Sequence, residues 1–154
     1  MTTKRALTAA QTIFYGTLVV GTLDFTYASV ASLIRGSTPA RTWRFVASGL
    51  IGKAAANGGV PAMLLGIAIH FFIACGVVST YFVVSRRVPL LREKPFICGP
   101  IYGVLVFLVM FYIVIPLSAI GIVPAFVVPR SVFELLMHMI GIGLPAAWFA
   151  SRAR

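Results

Sequence analysis

Only five side chains in this sequence are carboxylates or imidazoles, the groups that most often move protons or bind metals in proteins. Asp24, His70 and His138 each lie well inside a long apolar segment. Glu134 stands four residues before His138 in the stretch SVFELLMHMIGIG. At about 1.5 Å per helical residue, four side chains fall within roughly 6 Å of one another in depth, namely Asp24, His70, His138 and Tyr112. We therefore predict that these four side chains form one intramembrane polar site.

Such a site is compatible with several kinds of chemistry. An ionised carboxylate facing lipid costs about 3 kcal/mol on insertion scales, so Asp24 is expected to face inward. His70, His138 or Tyr27 can then donate to it, and a carboxylate bonded to an imidazole fixes the histidine tautomer. Four interpretations stay open: a path for protons or small solutes, a divalent metal held by both histidines and Asp24, haem b held between the two histidines, and a buried polar network that fixes helix register.

Glu134 has two possible roles. Because it lies four residues before His138, the two side chains share a helix face and could contribute to one metal site. Ser131 lies three residues before Glu134, however, and this spacing is typical of a capping box at a helix start. We favour the capping role.

Two prolines add backbone acceptors to the predicted site. A proline inside a helix removes the hydrogen bond to the carbonyl four residues earlier. Pro116 should therefore free the carbonyl of Tyr112, and Pro145 should free that of Gly141. Both helices are expected to kink there, with a spare acceptor facing the middle of the protein.

The elements that position these residues follow from an unusually apolar composition. Of 154 residues, 60% are hydrophobic and 10% charged, and the mean hydropathy is +1.01. A soluble domain carries about 25% charged residues. Four segments reach the length needed to cross a bilayer, about residues 6–34, 62–84, 97–123 and 132–150. We predict an all-α integral membrane protein, a four-transmembrane-helix bundle that forms a single domain over residues 1–154.

The connection between the first two segments contains a further helical pattern. Trp43, Ala47 and Ala54 follow helical spacing, with Arg41 and Arg44 on the other face. Thr38-Pro39 is a typical helix start, and Asn57-Gly58-Gly59 is a typical stop. The pattern predicts a short amphipathic helix in the membrane interface, at about residues 40–56. The link between the third and fourth segments, PAFVVPRS, is expected to be tight.

The basic residues indicate an orientation rather than a nucleic-acid partner. They form short clusters between apolar runs instead of one patch with aromatic residues, so the net charge of +10 does not indicate nucleic-acid binding. Eight lie on the side of both termini, namely Lys4, Arg5, Arg86, Arg87, Arg92, Lys94, Arg152 and Arg154. Five lie on the other side, namely Arg35, Arg41, Arg44, Lys53 and Arg130. The excess predicts that both termini are cytoplasmic. The basic N-terminal start and its long apolar run predict an uncleaved first span.

Short motifs in all four segments resemble those of the small, YagU-like inner-membrane proteins of bacteria. The shared elements here are Asp24 in the first segment, His70-Phe71 in the second, Tyr102-Gly103 and Pro116-Leu117 in the third, and His138 in the fourth. The resemblance implies a four-helix protein of the bacterial cytoplasmic membrane. It implies no particular biochemical activity, but it adds Tyr102 to the candidate site residues and gives more weight to Asp24 and the histidines.

The sequence contains no motif specific to any of these activities, such as HExxH, CxxCH or a P-loop. The best-supported expectation is a non-enzymatic membrane protein with an intramembrane Asp/His site for proton or small-solute passage. The alternatives are a subunit that binds haem b or a metal, and a structural subunit of a membrane complex. The expected partners are the lipid bilayer and a second copy of the chain or a larger membrane assembly.

Overall fold

The computed structural model describes residues 6–153 as a bundle of helices. In chain order they are α1 (Ala9–Ile34), α2 (Pro39–Ile51), α3 (Ala54–Asn57), α4 (Gly59–Arg87), α5 (Leu90–Glu93), α6 (Pro95–Leu117) and α7 (Arg130–Ser151). The helices α1, α4, α6 and α7 are long and apolar enough to cross a membrane. Within the described residues there is no strand, only an isolated bridge between Leu7 and Ala153. The predicted all-helical fold with four candidate spans is confirmed.

The outer surface of the bundle is strongly apolar. Large side chains on the four long helices point away from the core, among them Phe72 at 79% exposure and Ile101 at 64%. A monomer in water rarely exposes contiguous apolar surface on this scale. The surface therefore fits a protein whose solvent is the hydrocarbon of a membrane.

The third long helix is shorter than the sequence predicted. It ends at Leu117 instead of continuing to residue 123. Ser118 leaves the helical conformation with ψ near 174°, and its hydroxyl donates to the Ile115 carbonyl at 2.7 Å. Gly121 then adopts a positive φ of 66°, which ends any helical continuation. The link to α7 is therefore not the predicted tight connection but a segment of twelve residues, 118–129.

Each of the last two long helices contains one π-helical stretch directly before its proline. Met110–Val114 precedes Pro116, and His138–Gly143 precedes Pro145. The N–H groups of Ile115 and Leu144 reach the carbonyls of Met110 and Met139, five residues back. Each helix accommodates the absence of a backbone N–H at its proline by forming one widened turn. Such π-helical turns occur frequently at functional sites.

The predicted amphipathic helix is present, but it divides into two parts and packs closely against the bundle. Thr38 caps α2, since its hydroxyl accepts from the Arg41 N–H at 3.3 Å. Gly52 has a φ of 61° and separates α2 from α3. Trp43 and Ala47 are buried, and a side chain at Gly66 of α4 would collide with the Trp43 carbonyl. The helix is therefore a packed part of the bundle, with one face against α4.

The two ends of the described chain lie side by side. The Leu7 N–H donates to the Arg152 carbonyl at 3.0 Å. Four crossings of the bundle return the chain to the side where it started. Three of the basic residues used for the orientation, Lys4, Arg5 and Arg154, lie outside the described residues.

Candidate functional site

Four ionisable side chains line one cavity between the long helices. The cavity has a volume of about 210 Å³ and includes Asp24 from α1, His70 from α4, and Glu134 and His138 from α7. These are four of the five carboxylates and imidazoles in the chain. The other lining side chains are apolar and come from α1, α2, α4, α6 and α7. The structure thus gathers residues that are more than a hundred positions apart in sequence.

Asp24 and His70 form the closest ionisable pair in the cavity. Oδ2 of Asp24 lies 3.7 Å from Nδ1 of His70, and their side chains are 25% and 11% exposed. Nε2 of His70 lies 2.9 Å from the carbonyl oxygen of Gly21. Gly21 is one turn before Asp24, so both contacts of the imidazole are with the same stretch of α1.

This geometry determines where the protons of His70 lie. A carbonyl oxygen only accepts, so Nε2 must carry a hydrogen and donate to Gly21. A neutral His70 would then turn the lone pair of Nδ1 toward the Asp24 carboxylate. The contact is favourable when one more proton is present, either on Nδ1 or on Asp24. At 3.7 Å, a water molecule can also bridge the two groups.

Aromatic rings hold the His70 imidazole in place. The Trp43 indole contacts it edge-on at a centroid distance of 5.0 Å, and the Phe71 ring does so at 5.3 Å. Trp43 in turn stacks on Phe25 at 4.5 Å and donates its indole N–H to Ser29 Oγ at 3.2 Å. The sequence pattern assigned Trp43 to the apolar face of α2 and gave no sign of its contact with His70. That contact depends on how α2 folds back across α1 and α4.

His138 also lines the cavity, and its hydrogen bond uses the other ring nitrogen, Nδ1 instead of Nε2. Nδ1 lies 2.8 Å from the carbonyl oxygen of Glu134, so Nδ1 carries the hydrogen and Nε2 is an acceptor when the ring is neutral. The Phe107 and Phe111 rings flank the imidazole at 5.4 and 6.2 Å. A side chain at Gly103 would collide with the His138 carbonyl, so this glycine brings α6 and α7 together beside the histidine.

Glu134 belongs to the cavity, and the predicted capping box is wrong. Helix α7 begins at Arg130, directly after Pro129, so Ser131 already lies inside the first turn. The Ser131 hydroxyl accepts from the Val127 N–H at 2.9 Å instead of from a helix N–H. Glu134 is therefore free to face the cavity, and its Oε1 lies 4.0 Å from Nε of Arg130, which is itself 62% exposed.

The three candidate tyrosines do not line the cavity. Tyr112 shares the predicted depth but is 46% exposed, because its neighbour Phe111 takes the inward direction on the π-helical stretch. Tyr27 lines a separate apolar groove between α1 and α7. Tyr102 donates its hydroxyl to the Val77 carbonyl at 2.7 Å and packs on Tyr81 at 4.9 Å. The structure brings Asp24, His70, His138 and Glu134 together and leaves the tyrosines outside.

The predicted metal set of His70, His138 and Asp24 is not formed, and the cavity does not suit haem b. Within residues 6–153, no three His, Cys, Asp or Glu side chains are placed to hold a single metal ion. Haem b held between His70 and His138 would need a free ligating nitrogen on each. In His70, Nε2 is bonded to the Gly21 carbonyl, so Nδ1 is the one nitrogen left to ligate, and it faces the Asp24 carboxylate instead of open space. The cavity is also smaller than the roughly 300–1,000 Å³ typical of small-molecule pockets.

The fold is a helical bundle with four helices long and apolar enough to cross a membrane, and its cavity is lined by two carboxylates and two imidazoles. No family model, curated protein or solved structure matches this chain. The resemblance to YagU-like proteins stays a prediction that rests on the motifs quoted above.

Proposed function

We propose that this chain is a multi-pass protein of the bacterial cytoplasmic membrane, with both termini inside, whose cavity takes up and releases protons during proton or proton-coupled solute passage. The observation that carries the proposal is the contact of Asp24 with His70. The contact between Nδ1 of His70 and the Asp24 carboxyl group is favourable when the pair carries one extra proton. The ring cannot instead donate to Asp24 from Nε2, because that N–H already donates to the Gly21 carbonyl.

A second imidazole and a second carboxylate, those of His138 and Glu134, line the same cavity and support a relay. With Nδ1 bonded to the Glu134 carbonyl, the neutral His138 ring keeps Nε2 as an acceptor. The Glu134 carboxylate lines the same cavity. At about 30 Å³ per water, 210 Å³ has room for roughly seven waters. Ordered waters in the cavity would connect these four groups and carry protons among them.

The size and surroundings of the cavity favour a proton over a larger cargo. Beyond the cavity, the bundle is closed by fully buried side chains, including Val78, Tyr81 and Ala147. Passage through that part requires the helices to move. The π-helical stretches in α6 and α7 lie beside the cavity and supply turns that can change their hydrogen-bond register.

The experiment is proton uptake into sealed vesicles that contain the purified full-length chain and a pH-sensitive dye. A potassium gradient with valinomycin imposes the membrane potential. We expect acidification of the lumen well above that of protein-free vesicles. We expect Asp24→Asn and His70→Gln each to reduce the rate by roughly tenfold or more, because each removes one acid–base partner of the pair.

The matched control is Glu93→Gln, which neutralises the one acidic residue that lies away from the cavity, on exposed α5. Its rate should equal that of the unmodified protein. Vesicles that acidify no faster than protein-free ones would refute the proposal, and so would an Asp24→Asn protein that is folded and as fast as the parent.

A further inference from the structure

Helix α2 has a second face, which forms one wall of a basic cleft. The cleft has a volume of about 570 Å³ and is lined by Arg41, Arg44, Ser48 and Lys53 together with apolar side chains that include Phe45 and Ile120. It shares no lining residue with the cavity that contains Asp24 and His70, on the other side of α2. The two sites are therefore independent features of the molecule.

Local geometry explains why three cations face one cleft. Arg41, Arg44 and Ser48 are spaced by three and four residues, so they lie along one face of α2. The positive φ of Gly52 then turns the chain and brings Lys53 to the same cleft. The opposite wall is the loop after α6, which is held to α2 by a hydrogen bond from the Ala119 N–H to the Gly49 carbonyl at 3.0 Å.

The cleft has positive charge without compensation. No carboxylate is among its lining side chains, although three of them are cationic. In the described part of the chain, Nε of Arg44 is buried and has no hydrogen-bond partner. The two guanidinium groups and the Lys53 ammonium that line the cleft donate charge-assisted hydrogen bonds, so an anionic oxygen is the complementary ligand.

The apolar part of the cleft wall favours an anion that also carries a hydrocarbon group over a purely polar anion. Phe45 is 48% exposed at the cleft, and Ile120 lies across from it, so a ligand here meets both cations and hydrocarbon surface. The cleft lies beside the end of α6, where the candidate spans meet the loops and where lipid headgroups would be found. We propose that this cleft binds the phosphate of an anionic phospholipid, with the first part of an acyl chain along Phe45 and Ile120.

The test is lipid retention by the full-length chain, purified in detergent and measured by native mass spectrometry. Phosphatidylglycerol and phosphatidylcholine are supplied in equal amounts. We expect selective retention of phosphatidylglycerol and a loss of roughly tenfold or more in Arg41→Gln/Arg44→Gln, because attraction to anionic lipid depends on each cation. Ala56→Glu, which adds a carboxylate to the cleft from an exposed position, should have the same effect and serves if the double variant does not fold.

The matched control is Arg87→Gln/Lys94→Gln, which removes two exposed positive charges elsewhere and should retain phosphatidylglycerol as before. Equal retention of the two lipids, or an equal loss in this control, would overturn the proposal. Inorganic phosphate is the second probe. If millimolar phosphate displaces the lipid as readily as phosphatidylglycerol itself does, the cleft is a site for free phosphate and the lipid assignment is wrong.

Discussion

The two halves of the bundle are built from the same four helices but differ in how completely side chains fill the space between those helices. In the half near the chain ends, Val78, Tyr81 and Ala147 are fully buried, and Gly16 of α1 lets α4 approach so closely that a side chain there would clash with Val78. In the other half the helices surround a cavity of about 210 Å³ with four ionisable side chains. One half is closed by buried side chains, whereas the other has space and polar groups.

The difference follows from the residues at the contacts. Small residues allow backbones to touch, and membrane helices associate mainly through such close packing. In the cavity half, glycines such as Gly66 and Gly103 also bring backbones together, and the four ionisable side chains line the space that remains between the helices. A void with carboxylates and imidazoles is polar enough to hold water, whereas a dry apolar void would only weaken packing. The two halves therefore differ in their interior: one is filled by buried side chains, and the other contains a cavity with four of the five carboxylates and imidazoles of the chain.

The largest expected effect comes from Gly103→Val, at the contact of α6 with α7 beside His138. The added side chain would meet the backbone at His138 and Met139, so we expect a loss of about 3 kcal/mol or more in the free energy of unfolding. Thermal unfolding in detergent measures it. The control is Gly76→Val, since a side chain at Gly76 meets open space. Equal melting of the two variants would contradict the close contact.

The next effect separates stability from proton movement. Val78→Ala removes two buried methyl groups from the packed half, and we expect it to cost about 1–2 kcal/mol through lost packing. Proton uptake into vesicles should remain at the level of the parent. Asp24→Asn should show the reverse, with slow uptake and no loss of thermal stability, because it removes a charge from an apolar environment. Two variants that change both properties in parallel would show that the halves do not have separate roles.

A smaller effect is expected from Tyr102→Phe. The tyrosine hydroxyl donates to the Val77 carbonyl at 2.7 Å, and hydrogen bonds between membrane helices average about 0.6 kcal/mol. We expect a loss of about that size in thermal unfolding, with Tyr112→Phe as the exposed control that changes nothing. A loss of several kcal/mol in Tyr102→Phe would mean that this tyrosine has a larger role than one interhelical bond.

The last prediction concerns the unmodified protein and the tautomers of its two histidines. The two histidines are expected to adopt opposite tautomers when neutral, because His70 donates from Nε2 and His138 from Nδ1. Nitrogen-15 NMR of histidine-labelled protein at alkaline pH should show one ring of each kind. His138→Gln removes one set of signals and assigns the other. Two rings with the same tautomer would contradict the hydrogen bonds that define the cavity.

Sequence and structure contributed differently to the site. Depth was predictable, because helical rise converts residue number into distance, and Asp24, His70 and His138 do line one cavity. The direction of each side chain was not. Tyr112 has the expected depth, but Phe111 occupies the inward position one residue away. Glu134 carried the pattern of a cap, yet α7 begins one residue before Ser131 and the carboxylate faces inward.

By itself, the sequence determined that the chain forms helices, that four of them are long and apolar enough to cross a membrane, and that four of its five acids and imidazoles lie inside them. These properties depend on local composition and on the cost of placing charge in hydrocarbon. Only the tertiary structure decided how far each helix turns about its axis, because that rotation depends on distant contacts. Gly66 against Trp43 and Gly103 against His138 are such contacts, and they place α2 over His70 and α6 beside the cavity.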